Sequence, residues 1–398
     1  MRKLMILRAS STQLPAILRA KEMGLHVIAV DSNPQAPGFA YADEKLVISA
    51  IDVPAVVEAA MRTRPDGVLT LCTDMPVRTV AAVADALGLP AIGVEDSFRA
   101  TDKLAMREAL RRHGVPIPLF FHAHDKSEFL QAVHEVTDRG YRCIVKPADN
   151  CGSRGVTLLE DTSAGALKEA YAYSTAYSTS GDVVVEEYME GPELCVETLN
   201  YHGVCHPIQI TDKLTTGAPY FVEMGHSQPS CLPPDVQDAI RSVAIACNEA
   251  LGNTDGSSCT EIKVTKDGPK VVEMGARLAG DYMTTDLVPL SCGVSMVDGI
   301  IHAALGEEPD WEHKFERASA IRFLGAKKGT VTSIEGVEDA ERVEGVVRVG
   351  IDCNVGDATD VIRNSADRVG YAIAQADTPQ EAIAACEQAL KMIHVSVR

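Results

Sequence analysis

The first hundred residues alternate short apolar runs with stretches of helical spacing, and few architectures accept that rhythm. The runs are LMIL near the start, HVIAV (His26 to Val30) and GVLTL (Gly67 to Leu71). Between them, Leu14 to Met23 has helical spacing that ends on Gly24, and a second helical stretch surrounds Val53 to Met61. Val77 to Leu87 reads as a third helix and leads into LPAIG. Such alternation predicts a parallel sheet with helices on both faces. The first turn, RASSTQLP, lacks the GxGxxG that a dinucleotide pyrophosphate needs, so a Rossmann-like front unit without NAD is expected.

The opening MRKLMILRASS starts like a signal peptide, but its apolar run is short and Arg8 interrupts it. It is expected to be a first strand. No segment approaches the roughly 20 apolar residues that span a bilayer, which predicts a soluble, cytoplasmic protein. The formal charge of -19 argues against nucleic acid or an anionic membrane as partner, because both attract an excess of Lys and Arg. Eleven cysteines are scattered from Cys72 to Cys386 with no CxxC pair, which predicts reduced thiols rather than a disulfide framework.

A helix is expected over TDKLAMREALRRHG, with Thr101 as N-cap and Gly114 just past its end. The prolines of GVPIPLFF then restart an extended chain. A small α/β unit follows, with strands CIVKP, VTLLE and DVVVEEYM and a helix near Ala164 to Tyr173. Strands LCVETLNY, VCHPIQI and PYFVEMG precede a helix from about Asp235 to Leu251, and CTEIKVT and KVVEM are joined by KDGP. Four β-like runs, SAIRFLG, GTVTSI, VVRVGIDC and VGYAIAQ, lead to a last helix with a capping box, Thr378 and Glu381, and Pro379 in first position.

Chemistry concentrates in three places. In IVKPADNCGSRGVTLL a strand ends on Lys146 and a glycine-rich tip follows. Consecutive backbone N–H groups there suit phosphate oxygens, although a lysine with a glycine-rich turn, taken alone, is more often structural than functional. It is not a P-loop, since GxxxxGK[ST] is absent. In VVVEEYMEGPE an apolar strand runs into Glu186, Glu187, Glu190 and Glu193, a crowding of like charge that suits purine and ribose recognition better than a plain strand. Glu261 and Glu273 are carboxylates on adjacent predicted strands, suited to holding Mg²⁺ against phosphates, and Arg277 brings a cation to the same spot.

In this order, TDK, VKP, GSRGV, EEYMEGPE, TEIKV and EMGARLAGD make the chain resemble the ATP-grasp superfamily over nearly its whole length. The resemblance implies an α/β ATP-grasp fold. It divides the chain into a Rossmann-like preATP-grasp domain at 1–100, a nucleotide clamp at 101–305 with a lid at about 115–190, and a C-terminal α+β segment at 306–398 that completes the clamp. It implies ATP and Mg²⁺ (with Mn²⁺ as the alternative ion) as cofactors. Lys103 and Lys146 correspond to phosphate-holding lysines and Gly152, Ser153 and Gly155 to the flap over the phosphates. Glu186 corresponds to the adenine-amine acceptor, with Glu187 beside it, the backbone of Tyr188 and Met189 to the purine hinge, and Glu193 to the ribose ligand. Glu261 and Glu273 correspond to the metal carboxylates, Arg277 to the arginine at the transferred phosphate, and Lys213 to a lysine reaching the γ-phosphate.

Many members carry Asn two residues after the second metal carboxylate, where this chain has Gly275. The E-x-G-H-x-x-P run at Glu223 and His226, with the later EMGARLAGD, is similar to the L-amino acid ligases of the carbamoyl-phosphate-synthase-like branch. That likeness implies an α-ammonium site at Glu223 and His226 and places Asp281 near a substrate side-chain pocket, where an acid hints at a polar or basic group. The partners implied are ATP and small carboxylate and amine substrates of amino-acid type, with a homodimer compatible. Purine-pathway and biotin-carboxylase-like enzymes share every nucleotide motif, and a nucleotide-binding protein without turnover is the reading that Gly275 favours.

Overall fold

The computed structural model describes residues 1–149 and 154–398. The front sheet is parallel, in the order Glu44–Leu46, His26–Val30, Lys3–Leu7, Gly67–Thr70. Leu4 to Leu7 are all sealed from solvent because helices cover both faces. Leu4 and Ile6 pack with Ile17 and Ala20 of helix Leu14–Glu22, and Met5 and Leu7 pack with Val56 and Val83 of helices Val53–Thr63 and Pro76–Leu87. That is the two-residue alternation of a strand buried on both sides.

Helix Lys103–Arg112 starts one residue later than expected. Asp102, not Thr101, is its N-cap, and its carboxylate accepts the Ala105 N–H at 2.8 Å. The Thr101 hydroxyl instead donates to the Ser97 carbonyl at 2.7 Å, closing the preceding helix Val94–Arg99.

A second, antiparallel sheet runs Phe120–Ala123, Val183–Glu187, Cys143–Pro147, Thr157–Leu158. Phe129 and Val133 of helix Lys126–Thr137 and Leu167 of helix Ala164–Ala176 fill its apolar face. The large sheet has eight strands, in the order Gly268–Gly275, Gly256–Thr265, Glu193–Tyr201, Val204–Thr215, Glu223–Gln228, Ala318–Gly325, Arg368–Ala376, Val346–Ile351. Its last three strands come from the C-terminal ninety residues, which extend the same sheet. Ile240, Ala244 and Cys247 of helix Pro234–Ala250 bury Leu194, Val196, Ile262 and Val271 on one face. The alternate residues, Glu193, Glu261 and Glu273 among them, line a cavity on the other.

The sheet corrects the expectation for the cysteines. Cys195 and Cys259 form a disulfide between neighbouring strands, with Cα atoms 6.0 Å apart. A separation of 64 residues hides the pair until the register is known, because Cys195 sits opposite Glu261 and Cys259 opposite Glu197. Among the described residues no single helix is long and apolar enough to cross a membrane. The helical turns Met283–Leu287 and Val288–Cys292 and helix Met296–Ala304, which the sequence pattern did not predict, pack apolar side chains against both the front and the large sheet.

Candidate active site

Lys146 stands at the end of its strand, and its Nζ lies 2.8 Å from Glu186 Oε2. The other oxygen of Glu186 takes Arg107 Nε at 2.6 Å, and these two side chains are only 2% and 3% exposed. Burial alone would push the Glu186 carboxyl upward, but Arg107 and Lys146 overcome it and hold the acid at about 2. This corrects the role expected for Glu186. Its carboxylate is taken up by two cations, so it positions Lys146 instead of facing an adenine amine. Glu187 is likewise committed, 2.5 Å from Lys270 Nζ. The Tyr188 N–H donates to the Arg142 carbonyl at 2.7 Å, so this one group of the predicted hinge is engaged within the protein. Lys263 Nζ donates to the Met189 carbonyl at 3.3 Å and lies 4.9 Å from the centre of the Tyr188 ring.

These groups border a cavity with apolar walls from Ile144, Val156, Met189, Phe221 and Val272. Lys103, Lys146, Lys213, Glu193, Glu261 and Glu273 line the same space. A bulge opposite Glu261 and Ile262 skips Val272 in the pairing and turns both Val272 and Glu273 toward the cavity. Gly155 has φ +78°, and a Cβ there would meet Pro147 Cγ at 2.6 Å, so the turn at this position demands glycine. Gly152 and Ser153 lie outside the described residues.

Glu261 and Glu273 sit opposite each other on adjacent strands. Lys103 Nζ is 2.7 Å from Glu273, and its charge and hydrogen bond outweigh burial and hold Glu273 at about 2. Glu261 goes the other way. Burial raises it, Lys213 only partly opposes that, and neighbouring Glu273, Glu223 and Glu193 add repulsion, leaving it at about 7. Lys213, 3% exposed, touches three carboxylates: Glu223 at 2.6 Å, Glu193 at 2.9 Å and Glu261 at 3.3 Å. Lys263 adds a second ammonium 3.5 Å from Glu193, so two ammoniums face three acids and the group is short of positive charge. Two facing carboxylates in such a group fit a hard divalent cation such as Mg²⁺.

Arg277 pairs with Asp74, which follows the last strand of the front sheet, at 2.9 Å. A Cβ on Gly275 would lie 2.9 Å from both the Asp74 carboxylate and the Arg277 guanidinium carbon. Asp74 thus fills the space that a side chain at 275 would occupy, which explains the glycine in place of the expected Asn.

Beyond Lys213 the structure brings together Glu223, His226 and Asp281. His226 Nε2 is 3.5 Å from Asp281 and 3.9 Å from Glu223, its side chain fully buried. Arg368, from the C-terminal segment, grips Asp281 with two hydrogen bonds at 2.6 and 2.7 Å. Asp281 and Tyr282 both have positive φ, 51° and 62°, a conformation costly for such residues and held here by that grip. Asp281 is therefore neutralised by Arg368, which corrects the hint that it recognises a basic side chain.

Sequence reading missed Asp74, Arg107, Glu197 and Arg368. Glu197 is fully buried, neither carboxylate oxygen has a hydrogen-bond partner among the described residues, and burial raises it to about 8. An acid in the middle of an otherwise apolar run, LCVETL, was the only available signal.

The parallel front sheet, the small antiparallel sheet and the cavity between it and the large sheet define a class. Residues 100–281 match the ATP-grasp domain, and the chain has the ATP-grasp fold. Residues 322–398 match the L-amino acid ligase C-terminal domain 2. The solved L-amino acid ligase from Bacillus licheniformis superposes with a TM-score of 0.83 at 22% identity, covering 100% of this chain and 99% of that one. Phosphoribosylglycinamide synthetase from Anaerococcus prevotii gives 0.80 at 20% identity, with both chains covered in full (100%). Among curated relatives, an uncharacterised protein, y4rH, of Sinorhizobium fredii is 29% identical over 80% of this chain and 66% of its own length. A formate-dependent phosphoribosylglycinamide formyltransferase of Ignicoccus hospitalis is 26% identical over 86% of this chain and 85% of its own. Alanine–anticapsin ligase of Bacillus subtilis is 27% identical over 55% of this chain and 50% of its own.

Proposed function

We propose that this protein is an ATP-dependent carboxylate–amine ligase that joins two amino acids through an acylphosphate, releasing ADP and phosphate. The observation that carries this reading is the charge-deficient group around Lys213, next to the Glu223–His226–Asp281–Arg368 cluster and continuous with the phosphate lysines. A site short of positive charge is completed by cations, here an α-ammonium at Glu223 and a divalent ion at Glu261 and Glu273. The domain match at 322–398 supports the amino-acid reading, since that segment supplies Arg368.

Each group then has a task. Lys103 and Lys146 hold the triphosphate, with the tip containing Gly152, Ser153 and Gly155 closing over it. Ile144, Val156 and Met189 sandwich the base, and Glu193 takes the ribose. Mg²⁺, when bound at Glu261 and Glu273, offsets the charge of the phosphates. Arg277 stabilises charge on the phosphoryl group as the substrate carboxylate attacks and ADP leaves. An amine then attacks the acyl carbon, phosphate leaves, and the amine gives up a proton. Closure of the tip keeps water from the acylphosphate.

Mass detection of products from ATP with pairs of amino acids tests the reading, with N-acetylated acids as control donors. Free amino acids should yield dipeptides and N-acetylated ones none. Glu223→Gln should lower synthesis more than about a hundredfold with ATP binding intact, because an ammonium buried without its carboxylate costs several kcal/mol. Equal use of N-acetyl donors would remove the free-ammonium reading. The coverage of the formyltransferase relative favours a second reading, a ligase of phosphoribosyl substrates, and such substrates belong in the same screen.

A further inference from the structure

The lid carries a donor group that the ligase reading leaves unused. His122 lies on strand Phe120–Ala123 and His124 two residues on, so both rings leave the same side. Ala123 pairs with Val183 in the antiparallel register, which brings Asp182 opposite His124. The Asp182 carboxylate sits between the rings, with Oδ2 3.1 Å from His122 Nε2 and Oδ1 3.1 Å from His124 Nδ1. The ring centroids are 3.9 Å apart. One nitrogen of each imidazole and one carboxylate oxygen all lie within 4.8 Å of one another.

One atom of this group lacks what its position requires. His122 Nε2 is buried and, among the described residues, makes no hydrogen bond, although an Asp182 carboxylate oxygen lies 3.1 Å away. An unsatisfied buried nitrogen costs about 1–3 kcal/mol, and a metal bond removes that cost. Ligands about 2.0–2.1 Å from a tetrahedral ion stand about 3.3–3.4 Å apart, inside the 4.8 Å that encloses these three donor atoms.

We propose that His122, His124 and Asp182 form a site for a borderline divalent transition ion, Zn²⁺, Co²⁺ or Ni²⁺. Two imidazoles and one carboxylate select such ions over Mg²⁺ and Ca²⁺, which take oxygen ligands. His124, with its side chain 63% exposed, gives the ion access from solvent, where water completes its shell. The site also has a structural consequence. The Asp182 carbonyl accepts the Ala148 N–H at 3.2 Å, and Asp149 next to it accepts the backbone N–H groups of Thr179 and Ser180, both at 2.9 Å. An ion there fastens the strand ends from which the phosphate tip springs.

The site does not depend on the ligase assignment, and its test uses no turnover. Full-length protein, stripped with chelator and returned to excess Mg²⁺-ATP to fill all-oxygen sites, is titrated with Zn²⁺ by calorimetry. Co²⁺ absorption in the visible reports the ligand set. One Mg²⁺-resistant equivalent of Zn²⁺ with micromolar or tighter Kd is expected. His122→Ala and His124→Gln should each weaken it at least about tenfold. His124 is exposed, so its variant folds even if the His122 variant does not. Absence of such binding, or binding unchanged in the His124 variant, overturns the proposal and in the second case assigns the ion to Glu223–His226–Asp281 or to cysteines.

Discussion

The two ends of the cleft are built on opposite electrostatic plans. At the lid end, Glu186 is shared by Arg107 and Lys146, and the group has all the charge it needs before any ligand arrives. At the sheet end, Lys213 and Lys263, the latter 3.5 Å from Glu193, face three acids, Glu193, Glu223 and Glu261. The first arrangement is a rigid support that presents a lysine. The second is held in deficit, and the deficit is what makes it receptive. Sealing an acid from water is costly unless cations offset its charge, which Arg107 and Lys146 do for Glu186, whereas the acids around Lys213 outnumber the ammoniums beside them.

Removing the presented lysine breaks the comparison most severely. Lys146→Ala should cost about 10²–10³-fold in ADP release while leaving the circular dichroism melt cooperative, because Arg107 still neutralises Glu186. Normal turnover in that variant would mean that the lid end does not bind phosphate. Asp74→Ala sharpens the contrast from the other side. Freed from its partner, Arg277 should lose orientation, lowering kcat about 10–100-fold with little change in KM for ATP. Asp74→Asn should recover part of the loss, and a change in KM alone would show that Asp74 acts on nucleotide binding. Glu197→Gln has the smallest expected effect on activity but a distinct signature in stability. The folded protein keeps a proton that the unfolded chain releases near 4.5, so the stability contributed by this acid is complete below 4.5 and is lost as pH rises through about 8. Melting temperatures between pH 5 and 9 should fall with pH in the parent and fall less in the Glu197→Gln protein.

Local pattern made much of the fold legible. The apolar runs of the front sheet, the capped last helix and the strands carrying Lys146, Glu261 and Glu273 all lie where periodicity and turn residues put them. Cavity-lining lysines and acids were legible too, since an ordered set of short motifs marks them. Their partners were not. Arg107 meets Glu186 across 79 residues and Arg277 meets Asp74 across 203, distances that only register and packing can close. The same blindness assigned Glu186 to adenine, because a carboxylate at a strand end reads alike whether it meets a ligand or two buried cations. The Cys195–Cys259 pair was missed for that reason as well.

The fit of Asp74 into the space above Gly275 bears on how such a chain can change over time. Leu71 bridges Leu278, and the Cys72 N–H reaches the Leu278 carbonyl at 3.1 Å, so the front unit and the arginine segment are stitched together beside that fit. A relative's front unit could not be grafted here as an independent module. A graft lacking an acid at 74 would leave a hole and an unanchored arginine. A clamp carrying Asn at 275 would collide with the resident Asp74. The two positions form a lock and its key, inherited or replaced together.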